Sequence, residues 1–208
     1  MTDPSLVPCL KDIQSIEVSL SWAPDCGKLE DDLQSKLDEF LDSGRQDGTK
    51  CVYACYGLAM YHAQCLEVGL RSVLIGYARL SGKVDVASVD TYADSFSKNT
   101  LGQLLSRVRE VARFNSESED VLRNALIERN RLAHHYFEER VEELLGPIGH
   151  EKMVRELLCA AQLFRYADFV VAPLTSVLLR AAGVSEELLA EKYGNLLSIA
   201  QEKYGILD

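Results

Sequence analysis

The stretch that decides the fold is residues 51–77, CVYACYGLAMYHAQCLEVGLRSVLIGY, in which only Glu67 and Arg71 are charged. Apolar side chains recur at 51, 55, 58, 59, 65, 66, 70, 73, 74 and 77, the spacing of a helix of roughly 40 Å. A helix so nearly apolar all round must lie at the centre of a bundle. The rest of the chain supplies its neighbours. Leu29 to Leu41, apolar at 29, 33, 37, 40 and 41, reads as an amphipathic helix that ends at Ser43-Gly44. Further helices are expected near 99–114, 118–145 (entered through Ser118-Glu-Asp and closed by Gly146-Pro147) and 150–182, where Pro173 should kink the backbone. After Gly183, Ser185 caps a tail helix in which Glu-Lys-Tyr-Gly occurs at 191–194 and 202–205, placing Tyr193 and Tyr204 on nearly one face. Only Ile16 to Trp22 alternates like a strand, and Lys83-Val-Asp-Val86 is its candidate partner. The expectation is an all-α antiparallel helical bundle with one minor short strand pair: an N-terminal extension over 1–45, the bundle over 46–183 and a helical tail over 184–208.

Composition excludes several classes. Of the 208 residues 47% are hydrophobic and 26% charged, an ordinary globular mix that can bury a core without staples. The longest uncharged apolar run, Phe169 to Leu179, falls well short of the roughly 20 residues of a bilayer span. The first residues lack a basic, then apolar, leader, so a soluble, cytoplasmic protein is expected with no membrane partner. The six cysteines form no CxxC pair and no zinc spacing with histidine; reduced, buried thiols are expected and no metal or cofactor. There is no P-loop, GxGxxG, GxSxG or HExxH. His62 should be a core histidine, and His150 should stand at a helix start.

The net charge of −10 argues against an extended basic surface. The deficit lies in the ends, −6 over 1–50 and −4 over 141–208. The centre is neutral, with arginines at 107, 109, 113, 123, 129, 131 and 140. A local arginine-lined groove is compatible with that distribution.

Polarity interrupts periodicity at Glu128-Arg-Asn-Arg-Leu-Ala-His-His-Tyr136-Phe137. With Leu122 at 0° and 100° per residue, the apolar stripe centres near 0°, Arg129 falls at about 340° and Tyr136 at about 320°. Asn130 and His134 flank the stripe at about 80° and 120°, and His135 lies opposite at about 220°. Burying a guanidinium is costly unless it is paired or faces water. Either Arg129 ion-pairs with a carboxylate of the long helix and His134 is a surface residue, or the segment holds a phosphate-like anion, with arginine offering bidentate bonds and histidine a proton near neutrality.

Arg129-Asn-Arg-Leu-Ala-His134 resembles the R-x4-6-H signature of the HEPN superfamily (higher eukaryotes and prokaryotes nucleotide-binding domains), and His135-Tyr136 extends it to the R-x4-H-x-Y form of HepT-type toxins. Thr100 to Leu105 and Ala63 to Glu67 look like pieces of the same family, and the resemblance covers roughly 50–183. It implies a helical bundle that often dimerises and, in many members, a metal-independent endoribonuclease of toxin–antitoxin or defence systems, with RNA as substrate and an antitoxin protein as partner. In that picture His134 assists attack of a ribose 2′-hydroxyl on the adjacent phosphate. Arg129 stabilises the developing charge, Asn130 orients the phosphate or the histidine, and Glu67 positions Arg129. Tyr136, two turns beyond Arg129, is read either as a core tyrosine with a satisfied hydroxyl or, on the HepT-like resemblance, as a phenol that approaches the same site and accepts a nucleotidyl group. Some members are silent modules that bind a nucleotide or a partner, so the resemblance leaves activity open.

Overall fold

The computed structural model describes residues 48–182 except Val86, together with Glu17–Val18 and isolated positions at 35, 190, 191, 194, 195, 198 and 203. The expected helix over 29–41, the tail helix with Tyr193 and Tyr204, and, apart from those few positions, both flanking segments of the domain division lie outside the described residues. Within them the protein is all-α. Helix α1 spans Gly48–Leu80, α2 Val89–Asp94, α3 Leu101–Val111, α4 Ser116–His134, α5 Tyr136–Glu139 and α6 Pro147–Ala181, with a 3-10 turn at Glu143–Leu145.

The long apolar segment is the central helix its composition demanded. Val52, Ala59, Ala63, Leu66, Leu70, Val73, Leu74 and Ala78 are buried along α1, and α6 answers with Met153, Leu157, Phe164, Val171 and Leu174. These two helices run parallel: Gly48 abuts His150, Gly69 abuts Asp168, and Gly76 abuts Leu178. Helix α4 runs antiparallel to both, since Tyr56 reaches Leu132 and Glu67 reaches Arg129 on one side, while Tyr136 reaches Met153 on the other. Over an 18-residue window α6 has a mean hydropathy of 1.4, enough by length and composition to cross a bilayer, and half of that window is buried within the protein. It continues through Pro173 as one helix. Pro173 has no N–H to donate to the Phe169 carbonyl one turn earlier.

Several boundaries depart from the sequence reading, each for a local reason. Among the described residues, Lys83, Val84 and Asp85 of the expected partner segment do not pair with the strand. Gly82, at φ 70°, ends α1 in a Schellman turn in which the Gly82 and Lys83 amides bond to Arg79 and Ala78 carbonyls (3.1 and 3.0 Å). Arg79 also donates to the Val84 carbonyl at 2.9 Å. The short strand, Glu17–Val18, pairs in parallel with Arg113–Phe114. Helix α3 is entered through a capping box of Thr100 and Gln103. Helix α4 begins two residues before Ser118, because the Asn115 side chain caps it by accepting the Ser118 amide at 2.8 Å. Pro147, read as a stop, instead occupies the first turn of α6, where its missing N–H costs nothing.

The expected helix over 118–145 breaks at His135, whose φ of −131° is not helical. The break turns Phe137 onto α1, 4.9 Å from the Tyr56 ring and 5.7 Å from Tyr53. Tyr136 joins this cluster, its ring 6.2 Å from Tyr56. Burying aromatic area outweighs the backbone bonds lost at one helical turn.

Candidate functional site

Arg129 points inward from α4, as its angle on the helix requires, and meets α1. Its Nη2 lies 3.1 Å from Glu67 Oε1, with the two side chains 21% and 13% exposed. Glu67 also lies 3.9 Å from the Arg71 guanidinium one turn along α1. One carboxylate therefore serves two cations. The Arg129 Nε is buried and makes no hydrogen bond. A buried N–H with spare donor capacity is costly, so the guanidinium keeps one unsatisfied direction beside its ion pair.

Asn130 and His134 stand on the outer surface of α4 and are exposed, as is His135 at its end. The two imidazoles lie edge to face, 6.1 Å apart. Among the described residues no hydrogen bond or ion pair joins Arg129 to Asn130 or His134. The structure thus brings Glu67 and Arg129 together and leaves the amide and the imidazole on the solvent side of the same helix.

Of its two sequence readings Tyr136 takes the core one, although from a different element than the wheel assumed. The angle of 320° assumed an unbroken helix, but α4 ends at His134 and Tyr136 opens α5. The side chain is 1% exposed, and its hydroxyl donates to the Met153 carbonyl of α6 at 3.2 Å. Burial, followed by the nearby Glu156 carboxylate, pushes the phenol above its ordinary range. This is a core tyrosine, withdrawn from any group that approaches through solvent.

A feature the wheel missed lies on the other side of α4. Glu128 and Arg131 of α4 and Arg140 beyond α5 face Arg155, Glu156 and Cys159 of α6 across a cleft of about 450 Å³, floored by Ala160 and Leu163. Arg131 is fully engaged. It binds Glu128 through two nitrogens at 2.6 and 2.9 Å, reaches Glu139 at 3.2 Å, and lies 5.0 Å over the Tyr136 ring. The Glu128 hydrogen bonds hold this guanidinium protonated well beyond its ordinary range. Arg140 binds both Glu156 oxygens, at 2.9 and 3.1 Å. The sequence signal was the run of central arginines, but the partners of Arg140 and the third cation, Arg155, come from a helix distant in sequence.

The remaining histidines are structural. His150, in the first turn of α6, hydrogen-bonds through Nε2 to the Leu144 carbonyl at 2.8 Å, and its Nδ1 is buried without a partner. His62 is half-buried with its ring 5.3 Å from Tyr61. Among the described residues no three metal-binding side chains come together, and Cys51, Cys55, Cys65 and Cys159 form no disulfide; contrary to the expected burial, the first three are half-buried and Cys159 is exposed.

The fold and these side chains define an all-α helical bundle with an arginine fixed by a carboxylate of its central helix. No family model, curated protein or solved structure matches the chain.

Proposed function

We propose that the chain is a metal-independent endoribonuclease of the HEPN type, a cytoplasmic toxin or defence effector that cleaves RNA by attack of a ribose 2′-hydroxyl. The observation that carries the reading is the Glu67–Arg129 pair: the arginine of the R-x4-H stretch is fixed on the central helix, with the histidine of the same stretch open to solvent beyond it. In this reading His134 accepts the proton of the attacking hydroxyl. The 2′-oxygen bonds to phosphorus, the 5′-oxygen leaves with a proton, and a 2′,3′-cyclic phosphate remains. Arg129 stabilises the extra charge on phosphorus, and Asn130 orients the phosphate. A homodimer, with two copies of the motif lining one cleft, would supply groups to both sides of the scissile bond. An antitoxin protein is the expected regulator.

A second reading, a silent module that binds a nucleotide or a partner protein, is favoured by one observation: Glu67 already occupies Arg129, and Arg129 makes no bond to His134 among the described residues. One experiment separates the two. His134→Ala should abolish RNA cleavage, and toxicity on induced expression, with an unchanged melting temperature. His135→Ala should be mild, and excess EDTA should leave cleavage intact. Absence of cleavage in the unaltered protein supports the silent module, and equal effects at both histidines remove His134 from its role. Mixing Arg129→Ala with His134→Ala protein tests the shared cleft, because a composite dimer regains activity.

A further inference from the structure

We infer that the bend joining α5 to α6 is a docking surface for a cationic amphipathic helix of a partner protein, whose apolar face covers Val141, Leu145 and Ile148 and whose basic flank meets Glu138 and Glu142. Leu145 and Ile148 are 85% and 79% exposed, the highest values among the large hydrophobic side chains described, and Val141 is 59% exposed. Apolar side chains scattered singly over a surface need no account, but three gathered in one bend of the chain mark an interaction site. The Leu144 amide bonds to the Arg140 carbonyl at 3.1 Å, so Val141 and Leu145 stand one turn apart. Only Gly146 and Pro147 separate Leu145 from Ile148.

The bend is held firmly from inside. His150 Nε2 bonds to the Leu144 carbonyl at 2.8 Å, and Lys152 Nζ meets Glu143 at 2.8 Å. Gly149 packs so closely on the Glu143 backbone that a Cβ there would overlap it. The polar groups of the bend are thus tied to α6 while its apolar side chains stay outside, and the surface is formed before a partner arrives.

Charge selects the occupant. The cations around the bend are met by carboxylates: Arg131 by Glu128 and Glu139, Arg140 by Glu156, Lys152 by Glu143 and Arg155 by Glu151. Glu138 and Glu142 are exposed and make no side-chain hydrogen bond or ion pair among the described residues. They leave two negative charges beside the apolar side chains, on a chain whose net charge is −10. A second copy docked through the same patch would set these carboxylates against their own counterparts, and an anionic lipid surface would be repelled likewise. A helix with lysines or arginines flanking an apolar stripe satisfies both the charge and the apolar surface. The inference does not depend on RNA cleavage, because none of these residues belongs to the Glu67–Arg129 pair.

The probe is a lysine–leucine peptide of about 18 residues, roughly five helical turns, with all its leucines on one face. It carries fluorescein and is followed by anisotropy against the full chain at physiological salt. The controls are the same composition in scrambled order and the peptide with glutamate in place of lysine. The probe should bind saturably with a dissociation constant of about 10 μM, and neither control should bind. Leu145→Ser together with Ile148→Ser should weaken binding about ten-fold or more. Circular dichroism and melting temperature should not change, since both side chains lie in solvent. Glu138→Gln with Glu142→Gln should weaken binding about three-fold and flatten its salt dependence. The proposal is overturned by equal binding of the scrambled peptide, or by binding that survives the paired serine substitutions. It is also overturned if light scattering shows a dimer, or phosphatidylcholine vesicles capture the chain, and the serine substitutions abolish either, because the patch then serves a second copy or a lipid surface.

Discussion

The Glu67–Arg129 pair ties α4 to the central helix, and a double-mutant cycle measures it. At 3.1 Å the Coulomb attraction at an effective dielectric near 20 is about 5 kcal/mol. Desolvating two side chains that are 21% and 13% exposed offsets much of that gain. A coupling of about 1.5–3 kcal/mol should remain, within the range of contacting buried partners. The two single variants should differ. Glu67→Ala strands two guanidiniums, Arg129 and Arg71, and should cost about 2–3 kcal/mol. Arg129→Met leaves Glu67 with Arg71 at 3.9 Å, fills the space with an apolar stem, and should cost about 1–2 kcal/mol. The assay is urea unfolding followed by far-ultraviolet circular dichroism for the four proteins of the cycle, with equal slopes required for comparison. A coupling below about 0.5 kcal/mol would show a solvated surface pair and remove the argument that Glu67 fixes Arg129. Glu67→Gln adds a functional arm, since it keeps the shape and one acceptor. If Glu67 positions Arg129 for catalysis, this variant should lower RNA turnover more than it lowers stability.

Tyr136→Phe should cost about 1 kcal/mol, the worth of its bond to the Met153 carbonyl. In an alkaline absorbance titration Tyr136 should ionise after the exposed tyrosines; because its folded pKa is raised, its stabilising contribution is complete below pH 10 and is lost as pH climbs through the folded value. Intact-mass analysis after co-expression with a genomic neighbour should find no adduct on this phenol. Asp168, raised by desolvation beside Gly69, follows the same sign: its contribution is most favourable below pH 3.8 and is lost as the buried carboxyl ionises. Asp168→Asn should therefore raise the melting temperature at pH 7 with a gain that shrinks near pH 3, and destabilisation at pH 7 would refute this. Gly48→Ala would drive a methyl into the His150 ring, displacing it from Leu144, and should cost about 1–3 kcal/mol by thermal melting.

What the sequence disclosed and what it hid divide along one physical line. Helical periodicity reports the direction of a side chain within its own element, so residues 51–77 announced a central helix and Arg129 announced an inward guanidinium. A short list of nearby carboxylates then made Glu67 the natural partner. Periodicity is silent where tertiary packing overrides local preference. The wheel carries Tyr136 on with the stripe past His135, yet the helix stops there, and the turn sets Phe137 against Tyr53 and Tyr56. Local punctuation is also ambiguous: Gly82 before Val84 and Val86 imitates a strand entrance, and Gly146-Pro147 serves a stop and a start equally well. The α4–α6 cleft was the least legible part. Arg140 and Glu156 are sixteen residues apart, on either side of a helix boundary the wheel cannot see, and nothing in their spacing marks them as partners. The wheel did sort the two faces of α4: Arg129 lies toward the core, whereas Glu128 and Arg131 lie at about 240° and 180°, on the side where α6 packs. That separation has a consequence for function. The motif arginine and the arginine cluster facing α6 occupy different faces of one helix, so a substitution at Arg155 leaves the Glu67–Arg129 pair untouched.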